Sequence, residues 1–203
     1  MSTREDEIYS PLERASEEGH TEIVQVLLEH GADVKAVADN DGLTALHFAS
    51  IFGRLAAARV LLEHGADVDA KSKENQTPLH NVGNEGVARI LLEYGADPNV
   101  HWQGQDNRTP LHWALQHDRL EVARVLLENG ANANVQDSQN QTPLHLASRK
   151  GYLDVVRLLL QRSPDIHAQD DEGRTPFRVA SVRGHEEVMQ LLLKHGAEDH
   201  RTQ

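Results

Sequence analysis

A motif that recurs every 32 to 34 residues runs through the chain and constrains its fold more than any other feature. Each copy opens with Ser or Thr, a variable residue, then Leu or Phe and usually His, and it closes on a Leu-Leu pair. Units of this size are too small to fold alone, and they become stable by stacking on their neighbours. The sequence therefore predicts a row of similar units. The opening residues are Ser10, Thr44, Thr77, Thr109, Thr142 and Thr175.

The copy that starts at Thr142 indicates why each unit folds into two short helices. The Thr142 hydroxyl can cap a helix, and Pro143 suits the first helical position because an N–H would have no partner there. Residues 144–147 give this helix an apolar face, and Gly151 ends it. Residues 153–160 then place apolar side chains at helical spacing, so a second helix packs on the first. A polar turn leads to the next copy.

This arrangement resembles the ankyrin repeat, and the resemblance extends over nearly the whole chain, from about residue 6 to about residue 199. It implies an all-α solenoid of stacked helix pairs joined by β-hairpin-like turns, in one domain over 1–203. Charged residues in the first and last copies suit end caps, so we expect a complete array of six copies. The predicted copies span about 6–38, 39–71, 72–101, 102–136, 137–169 and 170–203.

The chain of 203 residues contains no Cys and carries a formal net charge of −12. Disulfides, Cys-ligated metals and Cys nucleophiles are therefore excluded, and the negative charge argues against binding to nucleic acid or to anionic membranes. No apolar run approaches about 18 residues, and the charged N-terminus lacks the apolar segment of a signal peptide. We expect a monomeric intracellular protein, cytoplasmic or nuclear, that uses no cofactor.

Thirteen His residues raise the question of a metal or catalytic site, but most of them fall at fixed positions of the repeat. The segment HEEVM from His185 lacks the second His of the H-E-x-x-H zinc motif. No pairing of a nucleophile with a base stands outside the repeat pattern, so we expect neither an enzyme nor a metal site. By the resemblance, the His of each opening tetrapeptide is structural and hydrogen-bonds to a neighbouring backbone. These residues are His47, His80, His112 and His145.

The resemblance also implies that a partner protein or peptide binds in a concave groove, made by the hairpin tips and the exposed sides of the first helices. Ile51 and Phe52 are the most distinctive candidates, because other copies carry polar residues at their positions. An apolar anchor flanked by charge is typical of a binding hot spot. The alternative is that both residues fold back onto the neighbouring copy. The candidate contact residues are Leu43, Ile51, Phe52, Trp102, Arg108, Gln116, His117, Arg149, Lys150 and Arg183.

Charge varies along this predicted groove. Residues 1–35 contain nine acidic and three basic residues, whereas residues 135–168 contain three acidic and four basic residues. We therefore expect a partner segment with basic residues toward copy one, an apolar anchor, and acidic residues toward copy five. Solubility alone is the alternative explanation of the charge. A rival interpretation of the whole chain is an engineered or model array with no evolved ligand, which the irregular copies three to five argue against.

Copy three is three residues short. From Thr77 to Leu91 there are 14 positions, whereas the same interval in copy five, from Thr142 to Leu159, has 17. In one alignment Gly86 is the turn between the helices and the second helix is trimmed. In the other, the turn lies at 83–84 and the first helix is trimmed. We expect a notch at the helical edge beside a longer connection that carries Trp102; drift of one inner repeat is the alternative.

Two further features of the sequence lie at the end of the second helix and in the turn that follows it. Copy five has Ser163 and Pro164 where other copies have Gly and Ala, and the sequence does not indicate how that helix ends. In proteins similar to this one, an Asn near the hairpin is hydroxylated by a 2-oxoglutarate-dependent oxygenase, and Asn99 and Asn134 occupy that position. The alternative is an Asn that only orders a turn.

Overall fold

The computed structural model describes residues 9–37, 41–104 and 106–198. It is all-α, as predicted, because helices are the regular elements of these ranges apart from one antiparallel bridge between Val37 and Thr44. The chain divides into two compact units, 1–104 and 105–203, called unit 1 and unit 2 below. The copy boundaries and the single-domain organisation stay predictions, and the outer ends of the first and last predicted copies lie outside the described residues.

Each unit is a stack in which neighbouring copies pack helix on helix. In unit 1, α1 packs on α3 and α2 on α4; in unit 2, α6, α8 and α10 form one row and α7, α9 and α11 the other. The helices of unit 1 are α1 (Pro11–Glu18), α2 (Thr21–Glu29), α3 (Ala45–Ile51), α4 (Leu55–Glu63) and α5 (Glu85–Glu93). Those of unit 2 are α6 (Pro110–Gln116), α7 (Leu120–Glu128), α8 (Pro143–Lys150), α9 (Leu153–Leu160), α10 (Pro176–Arg183) and α11 (Glu186–Lys194).

Leucines at the repeated apolar positions make up most of the core of each unit. Burying one such side chain contributes roughly 1.5–3 kcal/mol, and small alanines between them let the helices approach. The fully buried leucines are Leu46, Leu61, Leu79 and Leu91 in unit 1, and Leu111, Leu115, Leu126, Leu127, Leu144, Leu159 and Leu192 in unit 2.

A repeated Thr–His pair sets the start of copies two to five, and in three of them it ties the copy to the next one. In copy two, Nδ1 of His47 accepts the Thr44 N–H at 3.1 Å, so the neutral ring carries its proton on Nε2. Nε2 then donates to the carbonyl of Gln76 in copy three, at 3.1 Å. The predicted structural role of these His residues is thereby confirmed. The equivalent bonds join His112 to Gln141 (3.0 Å) and His145 to Arg174 (2.9 Å). In copy three, His80 bonds instead to Val100 of the same copy, at 2.8 Å.

Copy one carries Glu13 at the His position, and its side chain is only half satisfied. Oε2 accepts the Ser10 N–H at 2.8 Å, as in an ordinary capping box. Oε1 is buried and has no hydrogen-bond partner. The carboxylate therefore keeps the cap of α1 but supplies no donor like the His Nε2 of other copies.

Glu13→Gln should raise the free energy of unfolding by about 1 kcal/mol, because a neutral amide keeps the acceptor for Ser10 and removes the cost of burying part of a charged group without a partner. Urea unfolding followed by circular dichroism measures the change. Glu22→Gln, at an exposed position of α2, is the matched control and should change stability by less than about 0.5 kcal/mol. A loss of stability in Glu13→Gln would contradict the expectation.

The first helix of copy three is absent, so copy three has one helix where a pair was predicted. Residues 77–84 form turns, and α5 begins directly after them with Asn84 as its cap, whose Oδ1 accepts the Val87 N–H at 3.0 Å. The Gly83 N–H donates to the carbonyl of Ser50 at 2.7 Å. Nδ2 of Asn84 donates to the carbonyl of Gly53 at 2.9 Å. The alignment that trims the first helix is therefore the correct one.

Copy three should exchange its backbone amides fastest among the inner copies. The sequence predicts this for residues 77–100, and the structure narrows it to 77–84, because this segment forms turns where the other copies have a helix. In a stack with nearest-neighbour contacts, the weakest copy decides where the chain opens. Hydrogen exchange with mass spectrometry measures it, and uniform protection across copies two to five would contradict it.

The turns between copies bond to one another through their backbones, which keeps neighbouring copies in register. Each tip contains a residue with a positive φ: Gly42 and Gly173 adopt it without strain, and Asn75, Asn107 and Asn140 adopt it in the other copies, where Asp106 beside Asn107 does so too. The bonds run from Lys73 N–H to the Asp41 carbonyl (3.0 Å), Gln103 to Glu74 (3.0 Å), Ser138 to Asp106 (2.8 Å) and Asp171 to Gln139 (3.1 Å).

Candidate protein-binding surface

The apolar candidates of unit 1 lie at the turn between α3 and α4. Phe52 follows α3 and is 39% exposed, whereas Ile51 is half-buried, so Phe52 offers the larger surface to a partner. Leu55, at the start of α4, is also exposed and was missed by the sequence analysis, although it follows Phe52 by three residues. Ile51, Phe52 and Leu55 are called the apolar patch. Leu43, in the turn before α3, is half-buried.

The apolar patch lies beside the notch in copy three. The N–H of Gly83 reaches the carbonyl of Ser50, one residue before Ile51. A Cβ on Gly86 would lie 3.4 Å from the Leu55 side chain, which is ordinary contact. Short turns therefore adjoin the patch where other copies have a helix.

Trp102 does not project from its turn, contrary to the expectation of a connection that presents an indole. It is only 8% exposed, and its ring meets the ring of His80 edge-on with centroids 6.0 Å apart. Its Nε1–H donates to Glu74 at 3.3 Å. Burial of the apolar indole ring is favourable, so Trp102 stabilises the turns of copy three.

Arg108 in unit 2 is likewise buried, at 7% exposure, although the sequence places it among the contacts. Its Nη2 lies 3.0 Å from Asp106, and its Nε lies 3.5 Å from the buried carboxylate of Asp137. The guanidinium therefore holds two neighbouring turns together and offers little surface to a partner. The remaining candidates of unit 2 are accessible: Gln116 and Arg149 are half-buried, and His117, Lys150 and Arg183 are exposed.

Lys150 is exposed, but it already forms an ion pair within unit 2. Its Nζ lies 2.7 Å from Asp118, and the Tyr152 hydroxyl donates to the same carboxylate. Asp118 has φ +61° at a position where other copies have Gly, so these two bonds offset a strained backbone. They lower the pKa of Asp118, and burial followed by the bond to Asp118 raises the pKa of Tyr152 to about 12.

Trp113 is a half-buried aromatic residue beside the candidate contacts that the sequence analysis missed. It lies on α6, four residues before His117, and the two rings stack with centroids 4.0 Å apart. Burial first, and then the positive charges of Arg119, Arg108 and Lys150, lower the pKa of His117. The spacing of four on one helix face was the signal that could have found this pair.

Asn134 holds the irregular end of copy five. Its Nδ2 donates to the carbonyl of Ser163 at 3.3 Å, and its Oδ1 accepts the Asp165 N–H at 2.7 Å. Ser163 has φ +50°, so it takes the left-handed conformation that Gly takes at other helix ends. At Asn99 the backbone N–H bonds to Asp97 within a tight turn, at 2.9 Å. The side-chain contacts of Asn134 favour its turn-ordering role, and the hydroxylation of Asn99 and Asn134 stays a prediction.

In the described residues no helix is long and apolar enough to cross a membrane. In the same part of the chain, no group of three or more His, Asp or Glu residues could hold a metal ion.

The family model for ankyrin repeats matches the chain three times, over residues 2–72, 65–137 and 129–203. The chain belongs to the ankyrin-repeat family. It is 26% identical over 131 residues to the putative ankyrin repeat protein FPV222 of fowlpox virus, and 36% identical over 132 residues to the human palmitoyltransferase ZDHHC13. These matches cover 63% of this chain but only 18% and 21% of those relatives.

A solved structure gives the same assignment. The ankyrin repeat domain of human ASB11 superimposes with a TM-score of 0.83 at 30% identity, over 95% of this chain and 86% of that domain. The six-copy count of this ankyrin-repeat chain stays a prediction, since its third copy has a single helix among the described residues.

Proposed function

We propose that this chain is a non-enzymatic scaffold that binds another protein or peptide through the exposed sides of its first helices and its hairpin tips. The proposal is supported by one contrast, between an interior that repeats and a surface that does not. Inside, four copies use the same Thr–His pair, and in three of them the His bonds to the backbone of the next copy, 29 residues further on.

On the outside, the last two positions before the turn between the helices differ in every copy that has both helices. They are acidic, apolar, polar, basic, and mixed in turn: Glu17-Glu18, Ile51-Phe52, Gln116-His117, Arg149-Lys150 and Val182-Arg183. An engineered or model array with no evolved ligand, the alternative, needs no such variation. The human ZDHHC13 protein shares only about a fifth of its length with this chain, so its enzymatic activity is not part of the proposal.

The test starts from a partner captured from cell extract and identified by cross-linking mass spectrometry, followed by surface plasmon resonance with the purified pair. Phe52→Asp should weaken binding at least about tenfold, because it places a charge at an apolar contact. Val26→Asp is the matched control: Val26 is 52% exposed but lies on α2, a second helix. Loss of binding in the control but not in Phe52→Asp would overturn the proposed surface.

Surface plasmon resonance also distinguishes apolar contacts from charged ones, because the former affect dissociation rates and the latter association rates. Phe52→Ala should speed dissociation about tenfold and leave association unchanged, because burying a Phe is worth at least about 1.5 kcal/mol. Arg149→Glu should mainly slow association and reduce its dependence on salt. An unchanged dissociation rate in Phe52→Ala would remove the apolar patch from the contact.

A further inference from the structure

A small depression in unit 2 combines arginine side chains with exposed apolar surface. It is formed between the end of α8, the turn before α10, and α10 itself. We call it the arginine depression. Its lining residues are Arg149, Arg174, Val179, Val182 and Arg183.

The charge of Arg174 is neutralised within its own turn. Its Nε and Nη2 donate to the Asp170 carboxylate at 2.9 and 2.8 Å. Its Nη1 lies 2.6 Å from Glu172. Arg174 therefore shapes the depression but does not need a further anion.

Arg149 and Arg183 lack such acidic partners. The Arg149 guanidinium donates to the neutral side-chain amide of Gln141. Arg183 is exposed, and within the described part of unit 2 no carboxylate lies within ion-pair distance of its guanidinium. Burial first, then the positive charges of Arg174 and Arg183, lower the pKa of Arg149, against the smaller opposite effects of Asp137 and Asp170. An anion bound here would relieve that repulsion and gain charge-assisted hydrogen bonds.

The valines limit what kind of anion fits. Val182 is 66% exposed, the largest value for any large apolar side chain in the described residues. A small inorganic anion would leave that surface in water, whereas a peptide can cover it with a side chain of its own. The depression therefore suits a carboxylate that has an apolar neighbour.

A second depression on the hairpin side of unit 2 has the opposite character. It shares Arg174 with the first one, but carboxylates and amides make up the rest of its lining. An anion is thus favoured on the helix side and disfavoured toward the hairpin tips, which orients a bound segment. The lining residues of this second depression are Gln139, Gln141, Asp170, Asp171, Glu172 and Arg174.

We propose that the arginine depression binds the side-chain carboxylate of a Glu or Asp that stands beside an apolar residue in a partner's peptide segment. This rests on the proposed protein-binding function and specifies the partner's chemistry. The carboxylate contacts Arg149 and Arg183, and the apolar neighbour covers Val182.

The test uses the full chain labelled with ¹⁵N, with the arginine side-chain Nε–H signals followed by NMR. N-acetyl-Leu-Glu-amide should shift the Arg149 and Arg183 signals in a saturable way and bind about tenfold more tightly than N-acetyl-Leu-Gln-amide. Arg183→Gln should weaken binding of the Glu peptide about tenfold, and Val182→Ser about threefold. Arg157→Gln, an exposed Arg on α9, is the control and should leave it unchanged.

Equal affinity for the Glu and Gln peptides would overturn the inference, as would unaltered binding in Arg183→Gln. Tighter binding of N-acetyl-Leu would assign the carboxylate to a chain terminus instead of a side chain. Inorganic phosphate that competes as well as the peptide would indicate an unspecific anion site. A captured partner that needs Phe52 but tolerates Arg183→Gln would refute this inference and leave the proposed function standing.

Discussion

Gly83→Ala should lower the free energy of unfolding of unit 1 by about 3 kcal/mol, from overpacking together with one weakened buried hydrogen bond. A Cβ on Gly83 would lie 2.6 Å from the backbone nitrogen of Gly53 and 2.8 Å from the carbonyl oxygen of Ile51. These are main-chain atoms, so the clash cannot be relieved by a rotamer change. The turn after α3 would have to move away and lengthen the bond from Gly83 to Ser50. Urea unfolding and the thermal midpoint measure the effect.

Gly86→Ala is the matched control in the same segment. Its Cβ would meet the Leu55 side chain and the Asn84 side chain at 3.4 Å, and Gly86 lies inside α5. Because Ala favours a helix, this change should raise stability by about 0.5 kcal/mol. Equal effects of the two substitutions would show that the close backbone approach at Gly83 is not what fixes copy three.

Acidification from pH 7 to pH 4.5 should lower the stability of unit 1 by about 2.5 kcal/mol through His47 alone. Burial lowers the pKa of His47 to about 4, whereas an unfolded His titrates near its model value of 6.5. Between these values the unfolded chain binds more protons than the folded chain, so stability is lost as pH falls from about 6.5 toward 4. Protonation would also remove the lone pair with which Nδ1 accepts the Thr44 N–H.

Unit 2 should respond in the same direction, because burial also lowers the pKa of His145. Urea unfolding at several pH values measures the slope. His47→Gln removes the titrating group while an amide keeps one donor and one acceptor, so its slope should be shallower. His195→Gln changes an exposed His after α11 and should keep the full slope. A stability that is flat from pH 6.5 to pH 4.5 would contradict the expectation.

The features that every copy repeats could be predicted from the sequence. Thr142 with Pro143 begins a helix because local geometry decides where a chain can start one, and Gly151 ends it for the same reason. The structural role of His47 and its equivalents was implied by the resemblance of the motif to the ankyrin repeat. The all-α class and the family assignment rest on the same local signals, repeated often enough to leave little ambiguity.

The irregular parts could not be predicted, because contacts between distant residues decide them. The spacing from Thr77 to Leu91 shows that residues are missing, but the approach of Gly83 to Gly53, 30 positions away, decides which helix is lost. A longer connection does not reveal whether Trp102 turns inward. The sequence also does not show that the charged side chain of Arg108, at a hairpin tip, lies between the carboxylates of Asp106 and Asp137.

Hydrogen bonds at both ring nitrogens of His47 couple the opening of its helix to the separation of copies two and three. Nδ1 of His47 closes the cap of its own helix while Nε2 holds the backbone of the next copy. Fraying the helix and detaching the neighbour therefore disturb the same imidazole, and the two events become cooperative. In copy one the carboxylate of Glu13 serves the cap alone. Opening of this cap therefore breaks no hydrogen bond from Glu13 to copy two. The coupling of α1 to copy two rests on its packing against α3 and on the bond from Arg54 Nε to the Glu17 carbonyl, at 2.9 Å.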